Sequence, residues 1–535
     1  MTRFAILASV LRDMATDRIQ SYLEGRWQDG EGEGAPLVNP ATEDVVATAT
    51  TAGIDFAAGL AHARKVGVAN LGALTFAERG ALLQRMSTAL HDQREALIAS
   101  AIANGGCTRG DAKFDIDGAI LVFSHYAELG AELGDKKILA DGDGIQLGRS
   151  PRFWGQHVFV PREGVAILIN AFNFPAWGFA EKAACALLAG MPVITKPATA
   201  TAHTAWLSTK AIVEAADVPE GAFGFIGGGV GDLLDHVTGQ DILAFTGSAS
   251  TGAMLRSNPK IVEKSVHVNV EADSLNAAVL GPDLDLGSEG FSLFVREVSR
   301  EMTQKTGQKC TAVRRIFLPE ANADEVIEAL GERLTGLVIG DPSNEDVRMG
   351  PLASARQLAD VEKGIALLRE EADVVVGDPD KPFDKPNGKG FFFAPVLLKA
   401  RDPQTARHVH EHEVFGPVAT VLTYSGDAAE AIELVRKGEG GLVTSVYSDD
   451  KAFTEQMVLG LAPFHGRVYL GSSKVRNHAM GSGLVLPQCV HGGPGRAGGG
   501  EELGGLRGVQ HYMHRVAIQG SRPMVEKICD TKPES

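Results

Sequence analysis

The sequence predicts an α/β protein built around two parallel sheets. Three observations carry this. Residues 165–170 are a continuous apolar run, which suits a strand buried on both faces. Strand and helix patterns then alternate through residue 270, and they alternate again from 291 to 470. Such alternation builds right-handed crossover units, in which ligands bind beyond the carboxyl ends of the strands.

Composition sets outer limits. A chain of 535 residues is too long for one core. The 44% hydrophobic and 22% charged content is that of an ordinary globular protein. A net charge of −16 argues against a general nucleic-acid binder, though a local basic site could still take a small anion. Five scattered cysteines suggest no disulfide framework and point to a reducing, cytoplasmic compartment. No Cys or His spacing matches a zinc site, so no metal is expected. The apolar run 4–11 is too short to span a membrane and lacks a clear cleavage site. Met14 follows it closely, so either the native start is Met14 or the first 13 residues form a loosely attached helix.

In chain order, residues 17–50 alternate apolar and turn residues and predict short strands. Three- and four-residue spacing predicts a helix over 76–101 and another over 114–129. Residues 149–160 read as a hairpin arm ending in a Pro-Arg-Glu-Gly turn. Strands follow at 165–170, 193–195, 223–226, 242–245 and 266–270, with helices to 188 and over 203–215 between them. In the second half, helices are expected at 291–303, 323–336, 428–437 and 450–460. Strands are expected there at 314–318, 392–397, 418–424 and 442–447. Residues 373–390 read as an exposed loop, and His408, His410 and His412 as a solvated strand or turn. A glycine-rich loop at 492–500, a short strand and a polar tail close the chain.

Candidate chemistry sits at the strand ends. Cys310 lies in a small glycine-containing loop between a helix and a strand, with Lys305 and Lys309 nearby. Positive charge favours the nucleophilic thiolate; the bland alternative is a packed thiol. Asn173 follows the strand 165–170, Lys196-Pro197 the next strand, and Gly247-Ser248 opens a helix after the strand 242–245. Glu271 ends the strand 266–270, and Glu413-Val414-Phe415-Gly416-Pro417 completes the set. Taken alone, Asn173 reads as a turn cap, Glu271 as a surface carboxylate and the run 227–231 as a turn.

Together, in this order, these motifs resemble the aldehyde dehydrogenase superfamily over roughly residues 20–520. The resemblance implies the aldehyde dehydrogenase fold: a Rossmann-like cofactor domain, an α/β catalytic domain and a small β oligomerisation arm. It implies an N-terminal extension at 1–16 and a cofactor domain of 17–145 with 164–271. A catalytic domain of 272–485, and an arm and tail of 146–163 with 486–535, complete the division. Residue by residue, it implies Cys310 as nucleophile, Glu271 as general base, and Asn173 with the Cys310 amide as oxyanion hole. Lys196 would bond the adenosine ribose and Glu413 the nicotinamide ribose. Gly247 and Ser248 would receive the pyrophosphate at a helix N-terminus, and Gly229 would lie near adenine. Ile169, Ala171, Phe172, Pro197, Thr199 and Phe415 complete the expected cofactor contacts.

Two departures from the family pattern matter. Where many NAD-preferring members carry a glutamate, this chain has Thr199, which removes repulsion toward a 2′-phosphate; NADP is therefore expected, with NAD as the alternative. Glu271-Ala272-Asp273-Ser274 replaces the common Glu-Leu-Gly-Gly, so the glutamate's backbone setting differs. The segment 491–505 further resembles bacterial members of aerobic aromatic-acid degradation. Those oxidise CoA-linked semialdehydes of the 3,4-dehydroadipyl type, which implies an aldehyde carrying coenzyme A. A CoA-acylating enzyme or a catalytically silent scaffold are the rival readings. A homodimer joined through the arm and the strand near 508–520 is expected, with no nucleic-acid or membrane partner.

Overall fold

The computed structural model describes residues 17–529; the run 4–11 and Met14 lie outside the described residues. Seven strands form the first large sheet, in the order His267–Glu271, Ile242–Thr246, Ala166–Ile169, Val193–Lys196, Phe223–Phe225, Ser21–Leu23 and Arg26–Gln28. The first five are parallel and the last two join antiparallel. The apolar strand after residue 164 is divided between two cores. Ala166 and Leu168 pack with the helices Phe76–Asp92, Arg109–Leu133 and Trp177–Ala189, while Val165, Ile167 and Ile169 face a second cluster with Leu243 and Phe245. This two-sided burial is why the run shows no alternation in sequence.

From Ala166–Ile169 the chain first adds strands on one side and then crosses to Ile242–Thr246 on the other. The crevice beyond those two strands is therefore a topological switch point. Register places Ile169 beside both Lys196 and Phe245, and Thr246 beside Glu271, along this edge.

A second seven-stranded sheet runs Ala372–Val376, Val396–Ala400, Val418–Tyr424, Arg315–Pro319, Ala277–Leu280, Gly441–Tyr447 and His465–Gly471. It is parallel except at the Ala372–Val376 edge. Glu289–Thr303 and Ala323–Thr335 cover one face, and Ala355–Leu368, Ala428–Arg436 and Lys451–Leu461 the other. A three-stranded antiparallel sheet joins Leu139–Gln146, Phe153–Pro161 and Met513–Ser521.

Several expectations are corrected. The helix expected over 76–101 is two helices, Phe76–Asp92 and Arg94–Gly105, hinged at Gln93 with φ −97° and ψ 8°. The second helix is longer than expected, Arg109–Leu133, because Thr108 caps it by accepting from the Asp111 amide. The arm begins earlier, at Leu139. Residues 372–376 form an edge strand that takes up the start of the expected loop. The strand expected at 392–397 is Val396–Ala400, because Phe391 and Phe393 fill the core beneath the sheet instead of extending the ladder. His408–Glu411 is a short helix and His410 is buried, because Arg315 Nη1 bonds its Nδ1 at 2.9 Å. The polar tail contains the helix Arg522–Cys529.

Candidate active site

Cys310 is positioned by an unusual turn. The helix Glu289–Thr303 ends and the chain passes through Lys305, Thr306 and Gly307 at φ of 53°, 56° and 67°. Left-handed backbone is costly for a β-branched residue, so this turn needs outside support. The Thr306 hydroxyl donates to Gly350 O at 2.9 Å. Gly307 passes so close to the facing chain that a Cβ there would lie 2.1 Å from Gly416 O. Beyond the turn, Asn276 Nδ2 donates to Cys310 O at 2.7 Å and Ala312 O at 2.8 Å. The sulfur's backbone is thus fixed from both sides.

The neighbouring lysines do not activate it. Lys309 Nζ is paired with Glu301 and donates to Gln304 Oε1 at 2.9 Å. Lys305 Nζ lies 3.5 Å from Cys107 Sγ and 4.4 Å from the Phe174 ring centre. The expectation that these lysines charge the Cys310 environment is therefore overturned: both side chains are held in buried pairs of their own.

Cys310 opens into a pocket with about 460 Å³ of empty space, its mouth included. Asn173, Glu271, Thr246, Ala171 and His491 line it together with Phe114, Phe174, Trp177 and Val485. The structure thus gathers Cys310, Glu271 and Asn173 at one site. Cys310 Sγ lies 3.7 Å from His491 Nε2, and that nitrogen lies 3.1 Å from Glu271 Oε2. Burial, and then the Glu271 charge, push the Cys310 thiol well up. Burial also works against ionisation of Glu271, but His491, Lys182 and Cys310 outweigh it and hold this carboxyl low, at about 2. Behind Glu271, Lys182 Nζ sits 2.9 Å from both Glu181 Oε1 and Glu502 Oε2. Burial, opposed by Lys182, leaves the Glu502 carboxyl well above the usual range.

The expected cofactor residues follow the switch-point edge. Lys196 and Thr199 are partly exposed where the strand Val193–Lys196 ends, with buried Pro197 between them. Ile169 is the registered neighbour of Lys196. Phe172 meets Phe415 edge-on at 5.7 Å, joining the Asn173 loop to the 413–417 segment. Glu413 Oε1 accepts from Arg314 Nε at 3.2 Å and its Oε2 from the Ser274 amide at 3.1 Å. Burial, offset by Arg314, lifts the Glu413 carboxyl to about 7. Gly229 stands apart from the pocket, its carbonyl accepting from Thr51 Oγ1 at 3.0 Å.

The expectation of free amides at this helix start is corrected for Gly247. The Gly247 amide donates to Glu271 O at 3.1 Å, and Ser248 Oγ caps the helix Ala249–Arg256 by accepting from the Thr251 amide at 3.3 Å. The Ala249 amide donates to Asp273 Oδ1 at 2.9 Å, so a carboxylate already occupies this helix N-terminus. The edge still suits a dinucleotide elsewhere: the buried Thr246 Oγ1 has no hydrogen-bond partner among the described residues and lines the Cys310 pocket.

Sequence reasoning gave no role to His491, Arg314, Lys182, Glu181 or Glu502. Only the glycine-rich run beside His491 marked part of this set.

Comparison with known proteins agrees with this geometry. The family model described as "Aldehyde dehydrogenase family" matches residues 27–517. A 3,4-dehydroadipyl-CoA semialdehyde dehydrogenase from Aromatoleum evansii is 46% identical over 479 residues, which is 89% of this chain and 93% of that protein. A non-phosphorylating aspartate-semialdehyde dehydrogenase from Halomonas elongata is 27% identical, covering 95% and 96% of the two chains. In fold, the chain is similar to Staphylococcus aureus betaine aldehyde dehydrogenase in complex with NAD+, with a TM-score of 0.85, 24% identity and 99% coverage of both chains. On the match across residues 27–517 and the relative in Aromatoleum, the chain belongs to the aldehyde dehydrogenase family.

Proposed function

We propose that this dehydrogenase oxidises an aliphatic semialdehyde carried on a CoA thioester to the acid, using NADP, within aromatic-acid degradation. The single observation that carries the chemistry is the pocket in which Cys310, Glu271 and Asn173 converge beside Thr246. The CoA-linked substrate is supported by the 46% identical relative, whose name specifies one. The apolar wall of Phe114, Phe174, Trp177 and Val485 suits an aliphatic chain leading to the sulfur.

In this reading the Cys310 sulfur adds to the aldehyde carbon, and the carbonyl electron pair moves to oxygen. The Asn173 side chain and the Cys310 amide stabilise that oxygen. A bound nicotinamide dinucleotide supplies the hydride acceptor. Lys196, Thr199, Thr246 and Glu413 would hold it along the switch-point edge. The resulting Cys310 thioester is hydrolysed by water that Glu271 deprotonates. Glu271 also favours hydrolysis over transfer to free CoA, since acyl transfer needs no such base.

Exposed apolar side chains on the three-stranded sheet and the last helix support a homodimer through this face. Phe153 is 47% exposed, Ile145 55%, Met524 63% and Ile528 52%. All five cysteines are free thiols, which suits a reducing, cytoplasmic compartment. Among the described residues no helix is long and apolar enough to cross a membrane.

The test compares free aliphatic aldehydes with a CoA-linked semialdehyde, using both cofactors and no added CoA. The reading expects the highest kcat/KM for the CoA-linked compound with NADP. Equal kcat/KM for the free aldehyde would refute the CoA part; an absolute requirement for free CoA would favour the acylating alternative.

A further inference from the structure

We propose that His491 takes the thiol proton of Cys310, so that the nucleophile stands as a thiolate beside an imidazolium that also faces Glu271. The proposal rests on the aldehyde dehydrogenase reading of the pocket. His491 Nε2 is the one ring atom that meets both partners, Sγ at 3.7 Å and Glu271 Oε2 at 3.1 Å. The ring is buried, and its Nδ1 has no hydrogen-bond partner among the described residues, so no other group claims it.

The glycine-rich segment explains how the ring arrives there. Val490–Gly492 pairs with Glu501–Leu503, and the loop between them lies flat on the Glu271 strand. The Ala272 amide donates to Ala497 O at 3.0 Å and the Gly500 amide to Val270 O at 3.1 Å. A Cβ at Gly498 would lie 2.2 Å from Val270 O, and one at Gly492 2.1 Å from Gly500 O. Side chains there would lift the hairpin, and His491 with it, away from Glu271.

The electrostatic need is specific. Burial and the Glu271 charge both oppose a thiolate at Cys310. The lysines beside it in sequence are paired elsewhere. Of the charged groups around the ring, Glu271, Glu181 and Glu502 are acidic and Lys182 is paired with the latter two. Arg467, on the strand His465–Gly471, is a cation that favours the thiolate, but its guanidinium donates to Leu484 O at 2.7 Å and Ser482 O at 3.2 Å. Among the described residues His491 is the ring nitrogen placed beside the sulfur to take its proton. In the step, the S–H bond breaks, an N–H bond forms at Nε2, and the bonding pair stays on sulfur for attack on the carbonyl carbon. Glu271 keeps its charge for the later water step.

The test is the pH dependence of iodoacetamide labelling at Cys310, read on its peptide by mass spectrometry because Cys489 is an exposed thiol that will label too. Wild type should label at neutral pH. In His491→Gln the labelling midpoint should move up to that of an ordinary thiol, about 8.5 or above, cutting the rate at pH 7 by about 30-fold or more. Added imidazole should restore labelling in His491→Ala. The wild-type protein gives a second reading that needs no His491 variant. Its 240 nm thiolate absorbance, minus that of Cys310→Ala, should persist at pH 7. An unchanged labelling profile in His491→Gln, or no thiolate signal below pH 8, overturns the proposal while leaving aldehyde oxidation intact. Loss of the dehydrogenase reading would instead appear as no aldehyde oxidation by wild type.

Discussion

Glu271→Gln separates the two halves of the reaction. The substitution is isosteric and keeps an oxygen to face His491 Nε2, which lies 3.1 Å from Glu271 Oε2, so the amide fits the same space while losing the charge. What it loses is the ability to accept a proton from water. General-base catalysis contributes about 10²–10⁴-fold, or roughly 3–5 kcal/mol of barrier at about 1.4 kcal/mol per tenfold. That loss falls on thioester hydrolysis. Attack by Cys310 and hydride loss should slow by less than about tenfold, because the charge lost faces the sulfur rather than the oxyanion site. The assay is stopped-flow absorbance of reduced cofactor with enzyme at high concentration. The variant should give a burst approaching one equivalent per active site, followed by a steady rate lowered by the full factor. A first turnover slowed as much as the steady state, with no burst, would refute the assignment of Glu271 to deacylation.

The cofactor edge and the turn before Cys310 give the remaining outcomes. Thr199→Glu places a carboxylate where a 2′-phosphate is expected and should shift the NADP-to-NAD ratio of kcat/KM toward NAD by about tenfold or more, one full charge repulsion at partial exposure; an unchanged ratio counts against Thr199. Asp273→Asn keeps an acceptor for the Ala249 amide but removes the anion from that helix N-terminus, so the cofactor KM should fall about two- to fivefold, matching a helix-terminus charge effect of about 0.3–1 kcal/mol. With Glu413 lifted to about 7 by burial, opposed by Arg314 and aided by Asp273, its proton is lost only as pH rises through neutrality. Cofactor KM should therefore rise below pH 7 in wild type, and the Asp273→Asn variant should show the same limb at lower pH; a KM flat from pH 6 to 8 contradicts the role of Glu413. Gly307→Ala should destabilise the fold by about 2–4 kcal/mol in urea melts, from left-handed backbone and the clash with Gly416 O; a change under about 0.5 kcal/mol would contradict that packing.

The parts of this protein written locally in its sequence were the legible ones. The strand after residue 164 announces itself because both its faces are buried. Cys310, Asn173 and Glu271 each stand next to a strand or helix end whose pattern can be read, and the structure brings all three to one pocket. What failed was decided at a distance. Gln93 interrupts a helix without a glycine or proline, so the apolar spacing runs through the break unmarked. His410 is buried because Arg315, far away in sequence, needs its ring. Lys305 and Lys309 are neighbours of Cys310 in sequence, yet their side chains are taken up by Cys107 and Glu301. His491 reaches the sulfur only through the glycine hairpin, across a separation of 181 residues that no local pattern records.

The central claim is that the aldehyde carbon becomes bonded to Cys310. The direct measurement is acid-quench mass spectrometry of Glu271→Gln after mixing with the CoA-linked semialdehyde and NADP. The account predicts an acyl mass on the Cys310 peptide at near-full occupancy, and none in Cys310→Ala, which should also form no reduced cofactor. An acyl group found instead on exposed Cys489, or continued oxidation by Cys310→Ala, would contradict it.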